Sequence, residues 1–330
     1  MVSIITISNS RTKLLRTFQG VIRSIRYAGL KNAEYVIVEL ENSAIEKKID
    51  DDLGEIKIKH IIVKKGGFSI QRNIGVKESS NNIIVFIDDG MDIPPQWIQK
   101  IISPILSGES DAVMGAVIPK IIKDRRDTLT DLKNILILSQ AVLGFPAGGL
   151  KMLSKGKFYI DSFSTSNLAI LKKFVVEAGM FDEKLVFGAE DSDLSIRIKK
   201  MFPMAKFLYS SEAYVFTEPR ENLKDIKKWF IRRGKSLATL VKKYEKVKLK
   251  KFLRREILLS KIIPLSFAPP VMIVFLTAYI NQAQKILEQS SSSEFFPCEY
   301  KKIMKIALPI MKIYMDIWYS VGYYSEIFKP

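Results

Sequence analysis

The chain has very little of the chemistry that cysteine and histidine provide. Its 330 residues include one cysteine, Cys298, and one histidine, His60. A single cysteine cannot form an internal disulfide, so nothing in the chain requires an oxidising compartment. A single histidine excludes a histidine-rich metal site, and the apolar alternation around His60 indicates a strand in which this side chain has a structural role.

Acidic residues are scarce relative to basic ones. The chain carries 52 Lys and Arg against 35 Asp and Glu, which gives a formal charge of +17. Such an excess indicates a polyanionic partner, which can be nucleic acid, an anionic membrane surface or a phosphate-bearing substrate. Residues 1–8 lack the basic stretch of a signal sequence and are too short for one, so they are interpreted as a buried strand.

Short apolar runs alternate with helical periodicity through the first third of the chain. Strands are predicted there at residues 2–7, 35–39, 58–63 and 83–87, and helices at residues 13–27 and 69–78; a strand at residues 112–117 and a helix at residues 191–201 follow in a looser pattern. This alternation predicts an α/β fold with a mostly parallel, Rossmann-like sheet flanked by helices. Ligands of such sheets bind beyond the carboxyl ends of the strands, which directs attention to residues 8–11, 39–43 and 88–90.

Two adjacent carboxylates, Asp88 and Asp89, follow the predicted strand at residues 83–87 and precede Gly90. Acids at the edge of a sheet need a metal, a cation or a hydrogen-bonded ligand to balance their charge. The same three residues also suit an ordinary turn, where Asp and Gly serve the backbone. The segment is therefore a candidate site whose meaning depends on the motifs around it.

Four segments in order resemble the large family 2 of inverting glycosyltransferases, which have the A-type nucleotide-sugar-binding fold. They are Gln-Arg-Asn-Ile-Gly from residue 71, Phe-Ile-Asp-Asp-Gly from residue 86, Ser-Asn-Leu-Ala-Ile-Leu from residue 166 with the turn Gly-Met-Phe-Asp-Glu from residue 179, and Gly-Ala-Glu-Asp-Ser-Asp-Leu-Ser-Ile-Arg from residue 188. The resemblance covers about residues 2–235. It implies a single A-type domain at residues 1–222.

The resemblance implies that Asp191 is the catalytic base, which removes the proton from the acceptor hydroxyl as the nucleoside diphosphate leaves from the opposite face. Glu190 is implied to bind the acceptor, and Asn167 lies on the acceptor side. The crowding of Glu190, Asp191 and Asp193 suits a base with a raised pKa. Acidic residues also occur in the first turn of a helix because they complement its dipole, so both interpretations stay open.

The resemblance also implies a donor site. Its candidate residues are Ser8, Arg11, Glu39 or Glu41, Arg72, Asp88, Asp89, Arg232 and Arg233. Either glutamate can be the acid that faces the nucleotide base. Arg232 and Arg233 fall in the segment that closes over the diphosphate, where cations stabilise the charge of the leaving group.

Two departures from the family pattern concern a divalent cation, Mg²⁺ or Mn²⁺. The position that usually holds a third acid is Gly90, and no histidine stands near Phe216 or Thr217. Asp88 and Asp89 are the candidate metal ligands, Asp92 or Glu218 can compensate, and metal dependence is left open. The Gln-x-x-Arg-Trp signature of polymerising relatives is absent from the sequence, which favours addition of a single sugar.

The composition changes after residue 222. A basic helical linker is predicted at residues 223–256, followed by a hydrophobic, membrane-associating region at residues 257–330. Residues 262–280 carry no charge over 19 positions, close to the length of a bilayer span, although three prolines equally suit a buried or re-entrant hairpin. Residues 303–328 have the pattern of an amphipathic helix, either in a membrane interface or packed on the protein.

Together these features predict a membrane-associated enzyme with its catalytic domain on the cytoplasmic face. It is expected to move one sugar from a nucleotide-sugar donor to a glycan or lipid-linked acceptor, such as a lipid-linked saccharide or a polyprenyl phosphate. The alternative is a catalytically inactive relative that serves as a membrane scaffold or binding subunit. A nucleic acid partner is not expected, because the basic run adjoins an uncharged segment of bilayer length.

Overall fold

The computed structural model describes residues 1–41, 56–123, 127–143, 156–186, 188–244 and 296–329, with a few helical positions between 277 and 288. The strands are β1 (Val2–Ser8), β2 (Ala33–Leu40), β3 (Ile56–Val63), β4 (Ile83–Ile87), β5 (Met91–Asp92), β6 (Ala112–Pro119), β7 (Lys157–Ile160), β8 (Asn167–Leu171) and β9 (Phe207–Thr217). The helices are α1 (Arg11–Tyr27), α2 (Phe68–Glu78), α3 (Trp97–Leu106), α4 (Thr128–Leu143), α5 (Lys172–Glu177), α6 (Glu190–Met201), α7 (Leu223–Tyr244) and α8 (Lys301–Ile327). The chain divides into two compact units.

The first unit comprises Met1–Ile118, Gly156–Val186 and Glu190–Glu218. Its described strands form one sheet of nine, in the order β3-β2-β1-β4-β8-β6-β9-β5, with β7 also paired to β9. β3, β2, β1 and β4 are parallel, whereas β8 runs antiparallel to both β4 and β6. The predicted α/β class is confirmed, and the parallel half of the sheet is the part that the alternation of strands and helices predicted.

Apolar side chains on one face of the sheet pack beneath α1 and α3 in the main core, which includes Ile4, Leu14, Tyr35, Val85 and Trp97. On α2, Gly75 is required by packing, because a Cβ there would lie 2.4 Å from Cγ2 of Ile5 on β1. The glycine of the Arg-Asn-x-Gly segment therefore lets α2 lie directly on the first strand. This contact fixes Arg72, three residues earlier, above the carboxyl edge of the sheet.

The second unit comprises the described parts of Pro119–Lys155 and Pro219–Pro330, together with Gly188 and Ala189. α7 and α8 pack closely where two glycines meet the opposite helix. A Cβ on Gly234 would lie 1.9 Å from the carbonyl oxygen of Tyr319, and one on Gly322 would lie 2.0 Å from that of Ile231. α8 also packs on α4 through a cluster that contains Leu138 and Met304.

The C-terminal helix is present as predicted, and its contacts with α7 and α4 favour the packed alternative for this segment. Lys312, a charged residue of the predicted amphipathic pattern, is buried and donates to Asp316 one turn later. No helix among the described residues is both long and apolar enough to cross a bilayer. The uncharged stretch at residues 262–280 lies outside the described residues except at positions 277 and 280, so the predicted insertion stays a prediction.

Candidate active site

The carboxyl ends of the parallel strands bring together side chains that are far apart in the sequence. β1 ends at Ser8, β2 carries Glu39 beside it in the pairing register, and Asp88 follows β4 directly. Open α/β sheets bind ligands at this edge. The sheet therefore places three of the predicted site residues where a donor is expected to bind.

Arg72 links Asp88, at this edge, to the start of α6. Its guanidinium donates from Nη1 to Oε1 of Glu190 and from Nη2 to Oδ1 of Asp88, the latter at 3.2 Å. Arg72 is 5% exposed, and its guanidinium lies 5.9 and 5.8 Å from the centroids of the Phe68 and Phe181 rings. Burial alone would lower the pKa of Arg72, but the surrounding carboxylates raise it above its usual value. Arg72 is thus a fixed cation between two acids.

Asp191 lies in the first turn of α6, next to Glu190. The chain reaches this turn through Gly188 and Ala189, both at positive φ (116° and 69°). Burial raises the pKa of Asp191 from 3.8 to about 6, repulsion by Glu190 adds to the shift, and Arg72 opposes it. One oxygen accepts the N–H of Ser192 at 2.7 Å. A carboxylate with a pKa near neutrality can take a proton from a hydroxyl group, which is the requirement for a general base.

Asp89 and Gly90 form the turn after β4. The hydroxyl of Ser8 donates to Oδ2 of Asp89 at 2.6 Å, and burial raises the pKa of Asp89. Gly90 has a φ of +76° and packs against the side chain of Lys13, which explains why a third acid is disfavoured here. Lys13 also opposes the shift of Asp89 electrostatically, although sequence reasoning did not select it.

The residues around this turn can share a divalent ion with a ligand but cannot enclose one. No group of three or more potential metal ligands exists among the described residues. Mg²⁺ is commonly held by one or two carboxylates together with substrate phosphates, and Asp88 and Asp89 fit that arrangement. The two acids that sequence reasoning offered as substitutes, Asp92 and Glu218, both contact the guanidinium of Arg16.

At the β2 end of this edge, Arg11 donates to Oε2 of Glu39 at 2.9 Å. The same oxygen lies 2.9 Å from Nε2 of His60, a residue that sequence reasoning treated as structural only. Glu41, the other candidate acid, is exposed at the end of β2, and its backbone N–H bonds the carbonyl of Val63. Of the two glutamates, Glu39 is the one that the structure joins to Arg11.

Asn167 is buried inside the sheet at 1% exposure. It accepts a hydrogen bond from Nε1 of Trp97 and donates to the carbonyls of Ala116 and Ala213. These bonds join β8 to α3 and to the strands around it. The predicted contact between Asn167 and an acceptor stays a prediction.

The remaining family motifs support the site mechanically. The side-chain amide of Asn73, next to Arg72, exchanges two hydrogen bonds with the backbone of Phe181 at 2.9 Å each. Arg197 bonds Asp193 and the carbonyls of Ala178 and Met180. The motif residues thus lock α2 and α6 onto the turn between them, which holds Arg72 and Glu190 in contact.

Arg232 and Arg233 lie on α7 in the second unit. A cavity of about 560 Å³ is lined by Arg220, Lys228, Trp229 and Arg232, with further walls from Pro219, Glu221, Asn222 and Asp225. The guanidinium groups of Arg220 and Arg233 lie 4.2 and 4.7 Å from the centroid of the Trp229 ring. Burial, together with repulsion by Arg232 and Arg233, lowers the pKa of Arg220 to about 10. Such a concentration of cations suits an anionic ligand.

Two solved structures are similar to this chain. A mannosyltransferase, PcManGT from Pyrobaculum calidifontis, in complex with GDP-Man and Mn²⁺, has a similar structure with a TM-score of 0.60 at 14% identity, over 99% of this chain and 87% of that one. TarS 1–349 from S. aureus matches with a TM-score of 0.39 at 13% identity, over 98% of this chain and 90% of that one. No curated protein sequence matches the chain significantly.

The likeness to the mannosyltransferase shows a shared fold, as the A-type resemblance implied. The model of the family described as Glycosyl transferase family 2 matches residues 3–178, more than half of the chain. The matched region contains the strand ends with Ser8, Glu39 and Asp88, as well as Arg72. The chain therefore belongs to glycosyl transferase family 2 and is a glycosyltransferase of the nucleotide-sugar-dependent type.

Proposed function

We propose that this protein is an inverting hexosyltransferase that adds a single sugar to its acceptor, with Asp191 as the general base. The observation that carries the proposal is the position of Asp191 in the first turn of α6, beside a glutamate that Arg72 holds by a buried hydrogen bond, where burial raises the pKa of Asp191 to about 6. Asp191 takes the proton of the acceptor hydroxyl as its oxygen attacks the anomeric carbon. The bond to the nucleoside diphosphate breaks on the opposite face, and the configuration at that carbon inverts.

The donor is a nucleotide sugar held at the carboxyl edge of β1, β2 and β4. Arg11 and Glu39 face its nucleotide, while Asp88 and Asp89 lie beside its ribose and diphosphate. The structurally similar mannosyltransferase PcManGT is in complex with GDP-Man and Mn²⁺. A divalent cation of this kind, held by Asp88 or Asp89 and the diphosphate, would neutralise charge on the leaving group.

Arg232 and Arg233 are proposed to stabilise the diphosphate as it leaves. Their support is the cation-rich cavity on α7, which Arg232 lines and in which burial, together with repulsion by Arg232 and Arg233, lowers the pKa of Arg220. An anion in this cavity would relieve that repulsion. Guanidinium groups suit the purpose because their planar forks bind phosphate oxygens in pairs.

The acceptor is proposed to be a lipid-linked saccharide or a polyprenyl phosphate, met at the cytoplasmic face of a membrane. Support comes from the basic run at residues 224–261 and from the uncharged stretch that follows it. On the surface of α8, Ile306 and Ile310 are 66% and 62% exposed. Large apolar side chains exposed beside a basic segment are typical of proteins that bind anionic membranes.

The test is a donor screen on the full chain that measures release of nucleoside diphosphate, with a short-chain polyprenyl phosphate as acceptor. Release with one nucleotide hexose, followed by NMR of the product, would establish the donor and the anomeric configuration. A product that retains the donor's configuration would contradict the inverting mechanism. Absence of release with every donor would instead favour the inactive scaffold.

A further inference from the structure

Three side chains from successive elements meet at the edge of the parallel sheet. Arg11 begins α1, Glu39 lies near the end of β2, and His60 lies on β3. Nη1 of Arg11 and Nε2 of His60 each lie 2.9 Å from the same oxygen, Oε2 of Glu39. The three side chains form a hydrogen-bonded triplet with the carboxylate of Glu39 in the middle.

The strand register explains why His60 reaches Glu39. His60 pairs with Ile37 on the neighbouring strand, and Glu39 lies two residues further along β2, on the same face of the sheet. The two side chains are therefore diagonal neighbours. An ionised carboxylate only accepts hydrogen bonds, so Nε2 of His60 carries the hydrogen and donates it to Glu39.

The three side chains differ in exposure. Those of Glu39 and His60 are completely buried, whereas that of Arg11 is 23% exposed. A buried carboxylate is tolerated only when charges and hydrogen bonds compensate it, which Arg11 and His60 do from two sides. Because both bonds converge on one oxygen, the carboxylate cannot rotate without losing both. Of the three side chains, Arg11 is thus the one that a ligand can reach, and Glu39 and His60 hold it in place.

We propose that His60 is a positioning residue of the nucleotide site: through Glu39 it holds the guanidinium of Arg11 in the direction that contacts the nucleotide of the donor. The inference rests on the proposed donor site at this edge of the sheet. His60 touches neither the sugar nor the acceptor. Its loss therefore weakens nucleotide binding and leaves the transfer step unchanged.

The test compares His60→Asn with His60→Gln in the full chain. The amide nitrogen of glutamine reaches the position of Nε2, whereas the side chain of asparagine is too short to bond Glu39. Titration calorimetry with UDP, GDP, CDP and ADP should show that H60N weakens binding of the preferred nucleotide by about tenfold, as expected for loss of a hydrogen bond to a charged group. H60Q should restore affinity to within about threefold of the wild type.

Ser3→Ala is the matched control. Ser3, on β1, donates to Oε2 of Glu34 at 2.6 Å, in a buried network at the opposite end of β2 from Glu39. S3A should lower the melting temperature but leave nucleotide affinity unchanged. If S3A weakens nucleotide binding as much as H60N does, His60 acts only by stabilising the sheet, and the proposal is overturned.

A double-mutant cycle with Arg11→Leu tests the route of the effect. If His60 acts through Arg11, the double variant R11L/H60N binds no more weakly than R11L alone. Additive losses would overturn the positioning role, as would wild-type affinity in H60N. A wild-type protein that binds none of the four nucleotides would instead refute the donor site itself, and the positioning role would fall with it.

Discussion

Arg72 and Glu190 are 118 positions apart in the sequence, yet their side chains form a buried ion pair at the junction of α2 and α6. The same guanidinium also bonds Asp88. The pair therefore connects the acid at the donor edge with the turn that carries Asp191. The catalytic proposal depends on this connection, because it fixes the charges that surround the base.

Removal of Arg72 should both destabilise the protein and inactivate it. Arg72→Ala leaves two carboxylates without their shared cation, and breaking a buried ion pair from one side costs about 3–5 kcal/mol. Urea unfolding should show this loss, and the double variant R72A/E190Q should recover part of it. The control is Lys100→Ala, which removes an exposed pair with Glu212 and should change stability by at most about 0.5 kcal/mol. A stable and active R72A variant would contradict the connection.

Asp191→Asn should raise stability at high pH. The folded-state pKa of Asp191, about 6, lies above its ordinary value of 3.8, so the folded protein holds this proton more tightly than the unfolded chain does. Stability is consequently lost as the pH rises from about 4 to 6, and the penalty remains at higher pH. D191N removes this penalty, so the free energy of unfolding should rise by on the order of 1 kcal/mol at pH 8 and should not change near pH 4. Melting curves at the two pH values measure the difference, and an equal effect at both would show that Asp191 is not perturbed.

Metal removal tests the role of the two aspartates after β4. Asp88 and Asp89 can share a divalent ion with the diphosphate, and no larger group of potential ligands exists among the described residues, so we expect EDTA to lower the rate and Mg²⁺ or Mn²⁺ to restore it. Asp89→Asn should raise the metal concentration needed for half-maximal activity, with Asp161→Asn, at an exposed bend directly after β7, as the control. A rate unaffected by EDTA would exclude the metal and make Arg232 and Arg233 the main stabilisers of the leaving group.

The positions of the parallel strands could be predicted from the sequence because buried parallel strands are continuous apolar runs. β4 was predicted at its observed bounds and β1 within one residue. The antiparallel strands β7 and β9 were harder, because their pairing depends on contacts distant in sequence rather than on a local pattern. The need for glycine at two motif positions, Gly75 and Gly90, becomes clear only from the structure, which shows what a side chain would contact there.

The site was predicted residue by residue from motifs, but the contacts between its members were not. The pairing of Arg72 with Glu190 and that of His60 with Glu39 depend on strand register and helix placement, which no local pattern specifies. His60 was assigned a structural role because a lone histidine in an apolar run gives no other signal. Lys13 was missed because a single lysine in an amphipathic helix is ordinary.

Salt extraction tests the proposed membrane association. Each Lys or Arg near an anionic surface contributes about 1 kcal/mol, but charge-only attraction is screened over about 3 Å at 1 M salt. Burial of an apolar segment is not screened. We expect the full chain to stay in the membrane fraction after a high-salt wash and a chain truncated after Arg255 to be released. Complete release of the full chain would remove the main support for a lipid-linked acceptor.

The central claim, that Asp191 is the general base, is tested most directly by single-turnover kinetics of Asp191→Asn with the identified donor and acceptor. Asp193→Asn is the matched control, because Asp193 lies in the same turn but bonds Arg197. We predict that D191N lowers the rate of sugar transfer by about 10²–10⁴-fold with donor affinity nearly unchanged, whereas D193N affects stability more than rate. A D191N variant that transfers sugar at the wild-type rate would contradict the account and remove Asp191 from the mechanism.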